Sequence, residues 1–418
     1  MLSVDVRTRT ADDDVSVDPA TFFGEDLPRL IDERADLAAP GARELHPRAL
    51  AFELTDPDGR PEQAWTVRFE PDGGRDTFHV APGLDGADAV VRLDAEDLSD
   101  LVNDIRTPMG LFTGGDLDMP AGGLDDFLDW WVVLRSLVDG RPVHTTGAVT
   151  FVDRDGEPLD LTRSFSLDDD REEMSHFLAE AGYLHLTGVF EPDEMARVSD
   201  EMDAAAPTYS SGDGRSWWAR TGDGRDRLVR MQYFHEHSPT TTALLADERL
   251  QGIGGLTTDG HRLAEPRPDR NVIEALIKPI GVVEGISDVP WHKDCSLGSH
   301  SYRCSSMTVG ISVTGADADS GQLRVVAGSH RALVQPAFVR RGLDLPQVDL
   351  PTTTGDVTVH LSCTLHMSQP PVRRERRVLY TDFQLPDRDG GHAPGEQKLK
   401  RIREVAPTTV SQPPSPVV

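Results

Sequence analysis

His292 and Asp294 stand two apart in the stretch VPWHKDCSLGSH, residues 289–300. In extended backbone, residues i and i+2 project to the same side, so the imidazole and the carboxylate converge while Lys293 points away. Such a pair is common and becomes a metal site only if a third ligand joins it. The downstream stretch TGDVTVHLSCTLHMSQ offers two candidates, His360 and His366. Strand parity lets either face inward. The chain between the pair and these histidines is long enough for about four strands, which would carry it across a β-barrel and back. Two imidazoles and one carboxylate bind non-haem Fe(II) on one face and leave the other open, as oxygen activation requires. A closed four-ligand zinc site leaves no position free.

An open iron of this kind needs an electron-donating cosubstrate. The usual one, 2-oxoglutarate, carries a distal carboxylate that must be held away from water. Arginine suits this task because its planar fork pairs with a carboxylate bidentately and keeps its charge. The stretch PPVRRERRVLYTDF places arginines at the start of a strand shortly after the candidate histidines. Other metal readings are weaker. CTLH at 363–366 has a C-x-x-H spacing but no second pair to close a zinc site, and HEH at 235–237 reads as a surface pair. Cys295, Cys304 and Cys363 are too few for a disulfide framework.

The elements that must position these residues lie in a chain of 418 residues, long enough for two or three domains. Hydrophobic residues make up 38% and charged residues 27%, a globular composition. The net charge of −29, from 71 acidic against 42 basic residues, repels phosphate backbones and anionic headgroups. Neither nucleic acid nor membrane is therefore an expected partner. No apolar run approaches the ~18 residues of a membrane span. The start, MLSVDVRTRTADDD, lacks the apolar region of an export signal, so a cytoplasmic location is expected.

The expected organisation is α+β. A flexible N-terminus covers 1–19 and a first domain covers 20–152. ALAFELTD, AWTVRFEP, DTFHVAPG and AVVRLDA alternate like consecutive strands. AEDLSDLVNDI and GGLDDFLDWWVVLRSLVDG then switch to helical spacing. ADAVVRLDAEDLSDLV followed by MGLFTGGDLDMPAGGLDDFLDWW resembles the sterol-carrier-protein-2 fold. That resemblance implies an apolar tunnel for a lipid-like ligand. Alternatively Phe127, Trp130 and Trp131 fill a core and the domain is a scaffold or a homodimer interface. Residues 153–172 are charged and read as a linker. An oxygenase domain covers 173–386, and a flexible tail 387–418.

Within that second domain, FLAEAGYLHLTGVFEPDEM, IKPIG…VPWHKD, SGQLRVVAGSHR, GDVTVHLSCTLHMS and RRVLYTDF occur in an order that resembles the phytanoyl-CoA dioxygenase family. The resemblance implies a double-stranded β-helix (a jelly-roll, cupin-like core) with flanking helices. It implies Fe(II), 2-oxoglutarate and O2 as cofactor and cosubstrates, with His292, Asp294 and His366 as the iron ligands. The family's distal histidine lies ten residues after the aspartate of its GD motif, here Asp356, which selects His366 and leaves His360 as a barrel residue. Counting from the distal histidine points to Arg377 as the 2-oxoglutarate anchor. Aligning back from Phe383 points to Arg376, which is preferred because strand register varies less than loop length. Thr308 and Arg230 match regions that touch 2-oxoglutarate in relatives.

Gly310 stands where some relatives carry a large aromatic, from which a roomier pocket beside the cosubstrate is expected. Asp294 is retained, so oxygenation rather than halogenation is implied. The implied reaction couples decarboxylation of 2-oxoglutarate to succinate and CO2 with hydroxylation of a C–H bond in a small-molecule substrate. Fusion to a lipid-carrier-like domain points to an apolar, acyl or natural-product substrate. The competing readings are a metal-free jelly-roll binding or sensor protein and a metal-dependent hydrolase built on the same ligands.

Overall fold

The computed structural model describes residues 16–72, 75–257, 260–265, 271–285, 287, 289–296 and 306–385. Cys304, the tail 387–418 and all but the last four residues of the expected N-terminal segment lie outside these.

The first unit is a five-stranded sheet packed against helices. Its strands are β1 (Ala49–Thr55), β2 (Pro61–Asp72), β3 (Arg75–Pro82), β4 (Ala89–Asp94) and β5 (Asp118–Ala121), in the order β3-β2-β1-β4-β5. All four expected strands form, but they are not a simple meander. After β3 the chain returns across the sheet and β4 pairs parallel to β1. Helix Leu27–Ala42, which the strand and helix patterns above do not anticipate, lies against helix Leu124–Asp139. Phe127, Trp130 and Trp131 are buried in the resulting core, and the Trp130 indole donates to the Pro47 carbonyl at 3.1 Å. Helix Ala95–Val102 starts on Asp94, whose carboxylate accepts from the Asp97 amide. It stops before Asp104, which sits in the left-handed region at φ 60°.

Residues 153–172 do not behave as a bare linker. Phe165 is buried, packs edge-on against Phe177 at 5.3 Å, and exchanges backbone hydrogen bonds with His185 and Thr187. Leu159 and Leu161 pack against the same core, so a few apolar residues dock this charged strip on the second unit.

That unit holds β6 (Tyr183–Leu186), β7 (Ser216–Thr221), β8 (Asp226–Met231), β9 (Arg262–Leu263), β10 (Ile273–Lys278), β11 (Val282–Glu284), β12 (Met307–Ser312), β13 (Leu323–Val326), β14 (Gln347–Leu350), β15 (Val357–Leu361), β16 (His366–Ser368) and β17 (Arg376–Gln384). The large sheet runs β11-β7-β8-β10-β17-β12-β15-β6, with β9 added to β17; a second sheet runs β14-β13-β16. The pairings are antiparallel throughout.

Register divides the large sheet into two unlike faces, because side chains alternate along each strand. Met307, Val309, Ile311, Val357, Val359, Leu379 and Phe383 turn to one face and join a core with helices Arg171–Ala181 and Pro192–Ala205. The opposite face carries Thr308 beside His360 and Asp382, Gly310 beside Thr358 and Tyr380, Tyr380 beside Glu274, and Arg376 beside Lys278. A mostly polar face on a buried sheet is costly unless it is hydrogen-bonded or serves a ligand.

The two units also touch. Val143 bridges Leu333, His144 Nε2 lies 2.7 Å from Asp344, Arg340 pairs with Asp129, and Thr107 Oγ1 donates to the Ser296 carbonyl at 2.6 Å.

Candidate metal centre

His292 and His366 are held opposite each other by backbone. Each amide donates to the other's carbonyl at 2.9 Å, and the ring centroids lie 4.2 Å apart. The Nδ1 of His292 bonds the Pro290 carbonyl at 2.7 Å, and that of His366 the Thr364 carbonyl at 2.9 Å. A carbonyl can only accept, so each Nδ1 carries the proton and each Nε2 presents a lone pair. Both lone pairs face Asp294 Oδ1, at 3.2 Å from His292 and 3.6 Å from His366. One ligand atom from each of the three residues lies within 4.8 Å of the others. Among the described residues this is the one group of histidine, cysteine and acidic side chains with such a spacing.

The other Asp294 oxygen is turned away from the pair. Oδ2 accepts from Thr308 Oγ1 at 2.7 Å and meets His360 Nε2 at 3.2 Å. Both histidines left open by strand parity therefore reach the carboxylate, but on different oxygens. The His360 ring packs at a tilt against that of His366, with centroids 4.0 Å apart. Burial alone would oppose ionisation of Asp294, yet the surrounding imidazoles of His366, His292 and His360 hold its carboxyl well below the usual range. Burial, reinforced by His360 and His292, keeps His366 neutral by lowering its pKa well below the ordinary imidazole value. An ionised Asp294 carboxylate beside a neutral His366 imidazole suits a divalent metal.

Arg376 and Arg377 diverge. Arg376 turns into the polar face at 3% exposure; it donates to the Gly321 carbonyl at 2.7 Å and lies 3.4 Å from Ser368 Oγ and 3.2 Å from the Tyr380 hydroxyl. Its Nε has no partner among the described residues. Its cross-strand neighbour Lys278, at 2% exposure, donates to Ser368 Oγ at 2.6 Å and to the Gln369 carbonyl at 2.7 Å. Ser368 sits two residues beyond His366 on β16, so this cationic pair and the histidine share one face of that strand. Arg377 points to the opposite face, where it pairs with Asp203 at 2.8 Å and Glu375 at 3.2 Å.

Thr308 and Arg230 are engaged by protein groups. Thr308 bonds Asp294 and, at 3.2 Å, Asp382. Arg230 pairs with Glu274 at 3.3 Å and stacks on Trp217 at 4.4 Å. The roomier pocket expected beside Gly310 is not formed. A Cβ there would lie 2.8 Å from Tyr380 Cε1 and 2.9 Å from Thr358 Oγ1, so the ring of the cross-strand neighbour fills the space. Lys278, Ser368 and Tyr380 escape a reading fixed on arginines. The signals for them are the lysine of IKPIG and the i+2 spacing of His366 and Ser368.

Residues 178–377 match the family described as Phytanoyl-CoA dioxygenase (PhyH). No curated protein matches the chain. Among solved structures, AviO1 from Streptomyces viridochromogenes Tue57 is similar at 24% identity and TM-score 0.42, over 54% of this chain and 98% of that one. The epimerase SnoN from nogalamycin biosynthesis, described as non-heme and alpha-ketoglutarate dependent, is 17% identical at TM-score 0.41, over 55% and 93%. EctD from S. alaskensis, solved with 2-oxoglutarate and 5-hydroxyectoine, is 17% identical at TM-score 0.42, over 58% and 86%. The matched stretch, residues 178–377, holds His292, Asp294, His366 and Arg376.

Proposed function

We propose that the chain is an Fe(II)- and 2-oxoglutarate-dependent oxygenase acting on a C–H bond of a small molecule. The observation that carries this reading is the meeting of His292, Asp294 and His366 ligand atoms within 4.8 Å, with His366 on the strand whose Ser368 leads to Arg376 and Lys278. Three donors of this kind suit Fe(II) and leave it accessible. Bound there, the iron supplies oxygen activation at the expense of 2-oxoglutarate, which leaves as succinate and CO2.

The chain's own groups do the rest. The Nδ1 bonds to Pro290 and Thr364 fix both imidazoles in the ligating tautomer. Arg376 and Lys278 offer buried positive charge to the distal carboxylate, and Arg376 rather than Arg377 takes the anchoring role. Thr308 acts on Asp294 rather than on the cosubstrate. Hydroxylation is the simplest outcome of this chemistry.

The first unit serves as a scaffold for the second. Its aromatic residues are packed in a core, which favours a scaffold over a lipid carrier. Next to Tyr380 across the sheet, Glu274 accepts hydrogen bonds from the side-chain amides of Gln232 and Asn271. That supports a polar substrate over an acyl chain.

Anaerobic Fe(II) and 2-oxoglutarate added together should give a weak visible charge-transfer absorption, lost in His366→Ala. Fe(II)- and O2-dependent succinate release should accompany it. A protein that binds neither, or that releases succinate equally well without His366, is not this oxygenase. A metal-free sensor and a hydrolase both predict no such band.

A further inference from the structure

Asp294 opens a single turn of 3-10 helix, Asp294–Ser296, with little structure of its own. One internal bond supports it, from the Ser296 amide to the Lys293 carbonyl at 2.9 Å. Besides the Thr308 and His360 contacts to the Asp294 side chain, three further bonds tie the backbone of the turn or its neighbour Lys293 to the rest of the chain. The Cys295 amide donates to the Ser362 carbonyl at 3.3 Å, and Lys293 Nζ donates to the Ser329 carbonyl at 2.9 Å. The shortest of the three comes from the other unit: Thr107 Oγ1 donates to the Ser296 carbonyl at 2.6 Å, between residues only 6% and 7% exposed.

Thr107 is set up to hold that direction. Its oxygen also accepts from the Gly110 amide at 2.9 Å as the cap of helix Pro108–Gly114, which fixes the side chain. The loop before it is pinned at several points. Asn103 donates to the Ser99 carbonyl at 2.8 Å, Arg106 bonds Asp97 at 2.8 Å and also Asp116, and Asp104 holds a left-handed backbone. Asp104, Arg106 and Thr107 are all buried.

We propose that the N-terminal unit is a working part of the metal centre: through Thr107 it positions the turn that carries Asp294. The inference rests on the iron reading for its consequence, but the bracing itself does not need a metal. Ligands must be held within roughly half an ångström of their productive geometry, so a turn anchored at Ser296 sets where the carboxylate two residues earlier can stand. Thr107 is a positioning residue and touches no reacting atom.

The test uses the full-length chain. Thr107→Ser keeps donor and cap, Thr107→Asp keeps the cap acceptor but turns a carboxylate on the Ser296 carbonyl, and Thr107→Ala loses both. In the metal-free protein, hydrogen exchange at the Cys295 and Ser296 amides should accelerate about tenfold in the aspartate and alanine variants and stay as in wild type in the serine variant. Fe(II) affinity, read by titrating the charge-transfer band, should weaken about tenfold in the same two variants. If the buried charge prevents the aspartate variant from folding, the alanine variant carries the test alone. Unchanged exchange at 295–296 in a folded alanine variant overturns the proposal. Absence of the band in wild type would remove the iron reading while leaving the exchange result to stand by itself.

Discussion

Thr308 Oγ1 donates to Asp294 Oδ2 at 2.7 Å, on the carboxylate oxygen that faces away from His292 and His366. The carboxylate is thereby divided, one oxygen toward the histidines and one into the sheet. A side chain held in this way pays little to adopt a ligating rotamer, because the ordering is already done. Thr308→Val removes the donor at nearly constant volume. It should weaken Fe(II) binding about tenfold, with Thr308→Ser close to wild type. Metal titration followed by the charge-transfer band measures this, and equal affinities in all three proteins would refute the role.

Arg376 and Arg377 are adjacent in sequence and turn to opposite faces of the sheet. Arg376→Ala should weaken 2-oxoglutarate about a hundredfold, since charge-assisted hydrogen bonds from a buried cation are lost. Arg377→Ala deletes an ion pair with Asp203, whose side chain is 64% exposed, and should cost about 0.5 kcal/mol of stability or less. Cosubstrate titration of the two variants distinguishes them. The reverse ranking would move the anchor to Arg377.

Gly310→Ala tests the filled space on the sheet. The added methyl would crowd Tyr380, and the Tyr380 hydroxyl lies 3.2 Å from Arg376. A displaced ring should carry its effect to the anchor. The expected result is a rise of about fivefold in the 2-oxoglutarate KM and a stability loss of about 1–3 kcal/mol, with Fe(II) affinity retained. If the KM is unchanged while stability falls, Tyr380 does not communicate with the anchor.

The strands that carry the site were legible because each shows apolar alternation between turn residues, as in SSMTVGISVTG and RRVLYTDFQLP. The alternation that buries Val309 and Leu379 also dictates that Thr308 and Tyr380 face the other way. What periodicity could not supply was the partner of each polar residue. Thr308 matches a region that touches the cosubstrate in relatives, yet its nearest acceptor is Asp294, on a separate turn that faces this side of β12. The parallel return of β4 beside β1 and the docking of Phe165 were hidden for a related reason. Both depend on where a connection travels, and local composition does not encode that.

His330, in the turn after β13, gives the protein an acid-sensitive element. Its Nε2 donates to the Ala179 carbonyl at 2.9 Å, while Nδ1 lies over Gly182 with no hydrogen-bond partner among the described residues. Burial, aided by the nearby charges of Arg331 and Lys293 and opposed by the Ala179 bond, pushes its pKa down to about 4. The unfolded chain takes up this proton near the ordinary value of 6.5, before the folded protein does. The unfolded state therefore binds more protons between these values, and stability rises with pH across the window and is flat above it. The loss on acidification is at most about 3 kcal/mol. His330→Asn, which retains an amide donor, should flatten the decline in Tm between about pH 6.5 and about pH 4.5 relative to wild type. Thermal melts across that range decide it. An identical decline in both proteins would assign the acid sensitivity to other groups.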